Sequence, residues 1–322
     1  MSSPNDGQRV ASNWQAVLKE KPEDQIHNDY WLLNQMSSGD GFKGLSGGDY
    51  ISSPIEYALN STVQSYSDTD TFATTRVDVF DRYEYDWKEY VGVIVMSDLE
   101  SDRNAGEGEL FPLLPAKMEN LRLSLRSTLN TDMFGDGSGN GGKALDGLQK
   151  LVSSTPTTGT VGGINRANFS FWRNQQTSGA ATASAFDNLR AGMRSIYNLC
   201  SNGIGDQHPK FGVTDRTTFE AYESLLVANE RFADKKSGDG GFSNEVLKFK
   251  GVLLSYDNAC PAGTMYFLNP QFYKLVYKTG SWMKAKPKVT PANQTVDIVP
   301  IRTMCNTIAT APRRLGVITA IS

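Results

Sequence analysis

The chain has 322 residues, of which 39% are hydrophobic, and a formal net charge of −3. That length can bury one large core or two ordinary ones, and the mild negative charge gives no electrostatic case for wrapping nucleic acid. No stretch reaches the roughly 18 apolar residues of a membrane span, and the opening "MSSPNDGQRV" lacks the apolar run of a signal peptide. The three cysteines, Cys200, Cys260 and Cys305, are far apart with no C-x-x-C pair, so buried thiols are expected rather than a zinc site or a disulfide framework. With only His27 and His208 as histidines, a metal site or a Ser-His-Asp arrangement has almost nothing to draw on.

Residues 1–44 are polar, with scattered large apolar residues such as Trp14, Leu18, Ile26, Trp31 and Leu33, and Pro22 interrupts any long helix. This reads as an extended arm that must lie against something else. Residues 55–98 read as a long strand ribbon. "STVQSY" and "TRVDVF" alternate apolar and polar residues, and in "DWKEYVGVIVMS" Val91, Val93 and Val95 share a face. Between the first two lies "SDTDTFATTR", an untidy tip rather than a two-residue turn. A two-stranded ribbon alone is marginal in water, so it must pack on this chain or on a neighbour.

The clearest helix follows. Leu114, Met118, Leu121, Leu125, Leu129 and Met133 form one stripe, with Pro115 in the first turn and glycines at the stop. From Pro115 to Phe134 it would be about 30 Å long. "ALDGLQKLVSS" suggests a short helix, "NFSFWRN" a strand, and Phe186, Leu189, Met193, Ile196 and Cys200 the stripe of a second good helix. "KFGVTDRTTFEAYESLLVANERF" reads as a strand into a helix, with Thr217 and Glu220 at capping-box spacing. "LKFKGVLLSY", "TMYFLN", "KLVYKT", "QTVDIVPIRT" and "RRLGVITAIS" are strands, the fourth demoted to an edge or bulge by Pro300. The class is α+β without regular βαβ alternation.

Two stretches imitate catalytic motifs. In "FGDGSGNGGKAL", residues 134–145, Gly137, Gly139 and Gly142 satisfy G-x-G-x-x-G. Gly137, Gly142 and Lys143 satisfy the phosphate loop up to Ala144, where a hydroxyl should reach Mg²⁺. Asp136, Ser138 and Asn140 begin a calcium loop whose twelfth position is Gly147 instead of Glu. Each pattern fails at the residue that carries chemistry, and the glycines follow a helix where a nucleotide loop needs a strand. "GLSGG" matches G-x-S-x-G at Ser46, but its approach is polar and Gly-rich rather than a hydrophobic strand. The reading is a connector and a loop, with no enzyme, cofactor or metal.

The order of arm, ribbon, long helix, mixed body and terminal strands resembles the major capsid protein of tailed bacteriophages, the HK97 fold. "GGDYISSPIEYALNSTVQSY" looks like the start of that family's extended loop and "YDWKEYVGVIVMSDLESDRNAGEG" like its return strand. The helix at 115–134 is similar to the spine helix. "FGDGSGNGGKALDGLQKLV" and "VGGINRANFSFWRN" resemble the passage into the axial domain, and "MYFLNPQFYKLVY" and "APRRLGVITAI" its late strands. The resemblance implies an N-terminal arm at 1–44. It implies a peripheral part at 45–135 with the extended loop at about 55–98, then an axial domain and returning peripheral strands at 136–322.

It also implies self-assembly into pentamers and hexamers of an icosahedral head, built in the host bacterial cytoplasm and enclosing double-stranded DNA without sequence-specific binding. A separate scaffolding protein and a portal protein are implied, with or without a decoration protein, and no membrane. An encapsulin-like shell around cargo protein is the alternative. Tyr66, Tyr83, Tyr85 and Trp87 on the loop, and Trp14 and Trp31 on the arm, are the intersubunit contacts it suggests, though each loop aromatic suits same-chain packing equally. Some members crosslink a loop Lys to an Asn of another subunit. Lys88 lies on the ribbon, but nothing in the sequence marks its partner, and no crosslink is expected.

Overall fold

The structure, a computed structural model, describes residues 30–103, 113–178, 185–201, 207–229, 247–291 and 293–321. In chain order these form α1 (Trp31–Ser38), β1 (Phe42–Leu45), β2 (Tyr50–Glu56), β3 (Phe80–Asp86), β4 (Lys88–Ser97), α2 (Asp98–Arg103), α3 (Leu113–Met133) and α4 (Leu148–Leu151). There follow β5 (Thr160–Val161), β6 (Ile164–Asn165), a 3₁₀ turn at Ser170–Trp172, β7 (Gln175–Ser178), α5 (Ala185–Cys200), β8 (Phe211–Thr214) and α6 (Arg216–Asn229). The remainder is β9 (Leu247–Phe249), β10 (Val252–Tyr256), β11 (Met265–Leu268), β12 (Tyr273–Lys278), β13 (Lys284–Ala285), β14 (Val296–Ala309) and β15 (Gly316–Thr319). The chain divides into two compact units and passes between them at residues 89–90, 128–129, 279–280 and 303–304.

The larger unit is organised by a six-stranded mixed sheet in the order β7-β15-β11-β8-β10-β9. The stripe of α5 supplies its core: Leu189, Met193, Ile196 and Cys200 pack with Phe219 and Tyr222 of α6, Leu254, Phe267 and Ile318. Helix and strand come so close at Gly316 that a Cβ there would lie 2.6 Å from Ile196 Cγ1 and 2.7 Å from Cys200 Sγ. β8, α6 and β10 make one parallel crossover, and β9 and β10 form an antiparallel pair. "LKFKGVLLSY" is therefore a tight hairpin rather than one strand. Lys250 (φ 47°) and Gly251 (φ 86°) are both left-handed, as a two-residue hairpin loop needs.

In the same unit β1 runs parallel to β12, which is antiparallel to residues 305–309 of β14. Phe42 stacks on Tyr277 with ring centroids 4.2 Å apart. Leu32, Leu33 and Met36 of α1 are at most 1% exposed. Residues 30–44, expected as the last part of a wandering arm, are thus folded into a core. The helix α6 starts one residue before Thr217 and is capped by Asp215, whose carboxylate accepts from Thr218 N (3.3 Å) and Thr218 Oγ1 (2.6 Å). The expected Thr217–Glu220 box is not the cap, because Glu220 pairs with Arg216 at 2.8 Å.

The smaller unit holds most of β4, α2, most of α3, β13 and the first part of β14. Leu121 of α3 lies where a Cβ on Gly92 would be, at 2.5 Å. Lys117 of α3 pairs with Glu100 of α2 at 2.7 Å. β14 runs on both sides of Pro300, whose carbonyl accepts from Lys286 N at 2.8 Å, and next to it the antiparallel pairing slips by one residue, from Ala285–Ile301 to Val289–Ile298, as at a bulge. Val91, Val93 and Val95 share the expected face and are each at least 50% exposed, while Ile94 on the other face is 5% exposed.

Candidate assembly surfaces

The hairpin β2–β3 pairs Tyr50 with Asp86 through to Glu56 with Phe80. The ladder then stops. "STVQSY" and "TRVDV" alternate as strands do, yet residues 57–79 form none. They are held as a loose double stem by Tyr57 N to Val79 O (3.0 Å), Tyr57 Oη to Asp78 O (2.8 Å) and Gln64 Nε2 to Thr71 O (3.2 Å). A turn in which Asp70 accepts from Ser67 N closes the tip. Tyr66 stacks on Phe72 at 4.8 Å. Leu59 is 90% exposed, Val63 83% and Phe72 71%.

The other candidate contact residues fall in different places. Tyr83 and Tyr85 are 5% and 2% exposed. Tyr83 stacks on Trp172 at 5.9 Å, and Tyr85 Oη donates to Ala309 O at 3.0 Å. Burial pushes both phenols above the usual tyrosine range. These two are packed within their own chain. Trp87 is half-buried and donates to Gly48 O at 2.9 Å. Trp31 meets Phe211 edge-on at 5.7 Å, and Trp14 lies outside the described residues. β3 is a loop strand with an inward face, and only its partner residues, distant in sequence, reveal that.

The motif imitations resolve as connectors. The Gly-rich stretch follows α3, and Asp136 Oδ1 is taken up by Ser138 N (2.9 Å) and Oγ (2.6 Å). Asn140, Gly141 and Gly142 all have left-handed backbone. Beyond them Gly147 crosses the end of α3 so tightly that a Cβ would lie 2.3 Å from Gly135 O and 2.4 Å from Asp132 O. Ser46 is exposed, and the chain runs on into β2 instead of a helix, so no nucleophile elbow forms. His208 stacks on Tyr197, while His27 lies outside the described residues. No group of three or more His, Cys, Asp or Glu side chains that could hold a metal occurs among the described residues. The cysteines are free and buried, with burial pushing the Cys200 and Cys305 thiols up to about 12 and Cys260 well above the usual thiol range. Lys88 Nζ donates to Gly142 O at 2.6 Å, which ties the start of β4 to the Gly-rich connector. Among the described residues no helix is long and apolar enough to cross a membrane.

No protein-family model matches the sequence, and no curated protein matches it. Solved structures do. A subunit of the cyanophage A-1(L) capsid superposes with a TM-score of 0.67 at 13% identity, over 97% of this chain and 99% of that one. A capsid subunit of a native GTA particle gives 0.61 at 11% identity over 98% and 99%. The SrpI encapsulin of Synechococcus elongatus PCC 7942 gives 0.59 at 11% identity over 99% and 96%. At such identities the likeness speaks to the fold, and because it spans both chains almost end to end, this protein has the HK97-like α+β fold that those phage-capsid and encapsulin subunits share.

Proposed function

We propose that this chain is the major shell protein of a phage head, assembling into pentamers and hexamers around double-stranded DNA. The observation that carries the reading is the hairpin tip. Residues 57–79 expose Leu59, Val63, Tyr66 and Phe72 with no strand partner in their own chain, on a fold whose solved examples include subunits of phage capsids. Large apolar side chains on a projecting ribbon are stable in water once a neighbouring copy covers them, and a closed ring of such contacts yields a shell. In this reading Tyr66 and Trp87 are contact residues of the loop and Trp14 of the arm, while Trp31, packed on Phe211, belongs to the folded body. Tyr83 and Tyr85 hold the loop's base rigid. The protein's place is the virion, its role structural rather than enzymatic, and its partners are a separate scaffolding protein, a portal protein and, in a decorated head, a decoration protein.

The match to the SrpI encapsulin supports a second reading, a shell around cargo protein. Light scattering on size-exclusion fractions, with negative-stain images, tests both. Closed particles support a shell, and nuclease-resistant DNA inside particles made with the phage's own genes separates a head from an encapsulin. A chain that stays at 35.3 kDa, alone and with every candidate scaffold, overturns both readings.

A further inference from the structure

Strand β7 is the terminal strand of the six-stranded sheet and runs parallel to β15. Gln175 N donates to Leu315 O at 2.9 Å, on the β15 side. Alternation along the strand therefore turns the N–H and C=O of Gln176 and Ser178 toward the side where, among the described residues, the sheet has no further strand. An open cavity of about 490 Å³ is lined by Gln175 and Gln176 of β7 together with Asn174, Phe171, Arg173 and Arg313, the last just before β15. A second of about 330 Å³ shares Phe171 and Arg313 and adds Arg314, with Glu56 as its one carboxylate.

The groove is cationic by construction. Arg173 is fixed by donating to Arg166 O and Ala167 O, each at 2.7 Å. Among the described residues neither Arg313 nor Arg314 has an ion pair, and the two adjacent guanidiniums repel each other. Asn174 is 3% exposed, and its Oδ1, an acceptor beside the groove, has no donor. Its amide is already spent on Ser153 O and Gln175 O. An outward backbone edge asks for another backbone, and three arginines ask for carboxylates.

We propose that the β7 edge is a docking groove for an extended acidic peptide segment of a separate protein, added to the sheet as a further strand with its carboxylates on Arg173, Arg313 and Arg314. The site is independent of the shell reading, since it belongs to the folded subunit.

The test uses the full chain and a labelled peptide of about ten alternating Glu and Val residues, followed by fluorescence anisotropy. Binding is expected for this peptide. It should fall at least tenfold for the same peptide N-methylated on alternate backbone nitrogens, and be lost when Glu is replaced by Lys. In the protein, Gln176→Pro removes one outward N–H without touching the β15 ladder, and Arg313→Glu with Arg314→Glu reverses the charge. Each should weaken binding at least tenfold. The N-methylated peptide reads strand addition on the unmodified protein, so the test survives a variant that fails to fold. Absence of binding, indifference to N-methylation, or stronger binding of inorganic polyphosphate than of the peptide overturns the proposal. So does a Gln176→Cys chain that crosslinks to a second copy, which would make the edge a subunit contact. Particle formation is scored by microscopy on the same samples, so failure of the shell reading is recognised separately.

Discussion

Asp146 and Asn306 are bonded to each other twice. The backbone N–H of Asp146 donates to Asn306 Oδ1 at 3.0 Å, and Asn306 Nδ2 donates back to Asp146 Oδ2 at 3.1 Å. Asn306 Nδ2 also reaches Asp86 O at 2.7 Å. Thr307 Oγ1 donates to Asp146 O, and Lys150 to Asp146 Oδ1. Three distant segments, the end of β3, the passage into α4 and β14, are thus joined through the buried side-chain amide of Asn306. Asn306→Leu keeps the volume and removes both partners, leaving a buried carboxylate oxygen and N–H short of a bond. We expect a loss of about 3 kcal/mol, measured by urea unfolding of the chain.

Gly147 and Gly141 should respond differently to alanine. At Gly147 a Cβ would collide with the main chain of Gly135 and Asp132, which no side-chain rotation relieves. Gly147→Ala should cost several kcal/mol, on the order of an overpacked core, or abolish soluble expression. At Gly141 nothing lies within 4 Å, and the left-handed φ of 68° is the sole obstacle. Gly141→Ala should cost about 1 kcal/mol. The same unfolding experiment ranks them.

Alkaline pH should destabilise the folded chain through its buried thiols. Cys200 and Cys305 are raised from 9.0 to about 12. Between those values the unfolded chain releases protons that the folded chain keeps, so stability is full below pH 9 and falls as pH rises, by about 1.4 kcal/mol per pH unit for each thiol. Tyr85, Tyr266 and Tyr273, also raised by burial, add to the slope above pH 10. Unfolding free energies under reducing conditions from pH 8 to 10 in Cys200→Ala and Cys305→Ala should show a shallower slope than in the parent chain. In the folded protein all three thiols should resist a soluble disulfide reagent at pH 8 until denaturant is added.

The hairpin tip offers a separation of folding from assembly. Tyr66→Ser with Phe72→Ser removes an exposed stacked pair, so unfolding of the isolated subunit should move by no more than about 0.5 kcal/mol. Under the proposed function, particle yield at a fixed subunit concentration should drop at least tenfold, read by light scattering.

At the start of α6, Asp215→Ala removes the acceptor for two bonds from Thr218 and should cost about 1 kcal/mol. Thr217→Ala, which would matter if Thr217 were the cap, should be near neutral.

The helices were legible because their cores are one-sided: Leu125, Leu129 and Met133 in α3, and Leu189, Met193, Ile196 and Cys200 in α5, are buried at helical spacing. Strands were legible where both faces are apolar, as in "MYFL", buried throughout. The ribbon misled in detail. "YISSPIE" has serines and a proline yet pairs along its whole length with β3, while "STVQSY" has the right alternation and no partner strand. Alternation states which face a strand would present, and pairing depends on what lies alongside. For the same reason the sequence offered Tyr83, Tyr85 and Tyr66 as equals. Burial by Trp172 and Ala309, more than 80 residues further along the chain, sets the first two apart.

The central place of β15 has a consequence for synthesis. β7 and β11 are separated in the sheet by a strand that follows both in the chain, residues 316–319. While a ribosome still holds that strand, the sheet exists as two unjoined halves, and Ile196 and Cys200 face an empty slot where Gly316 belongs. That core closes only after translation has passed residue 319, so a nascent chain cannot complete this sheet while its own message is still being read through that point.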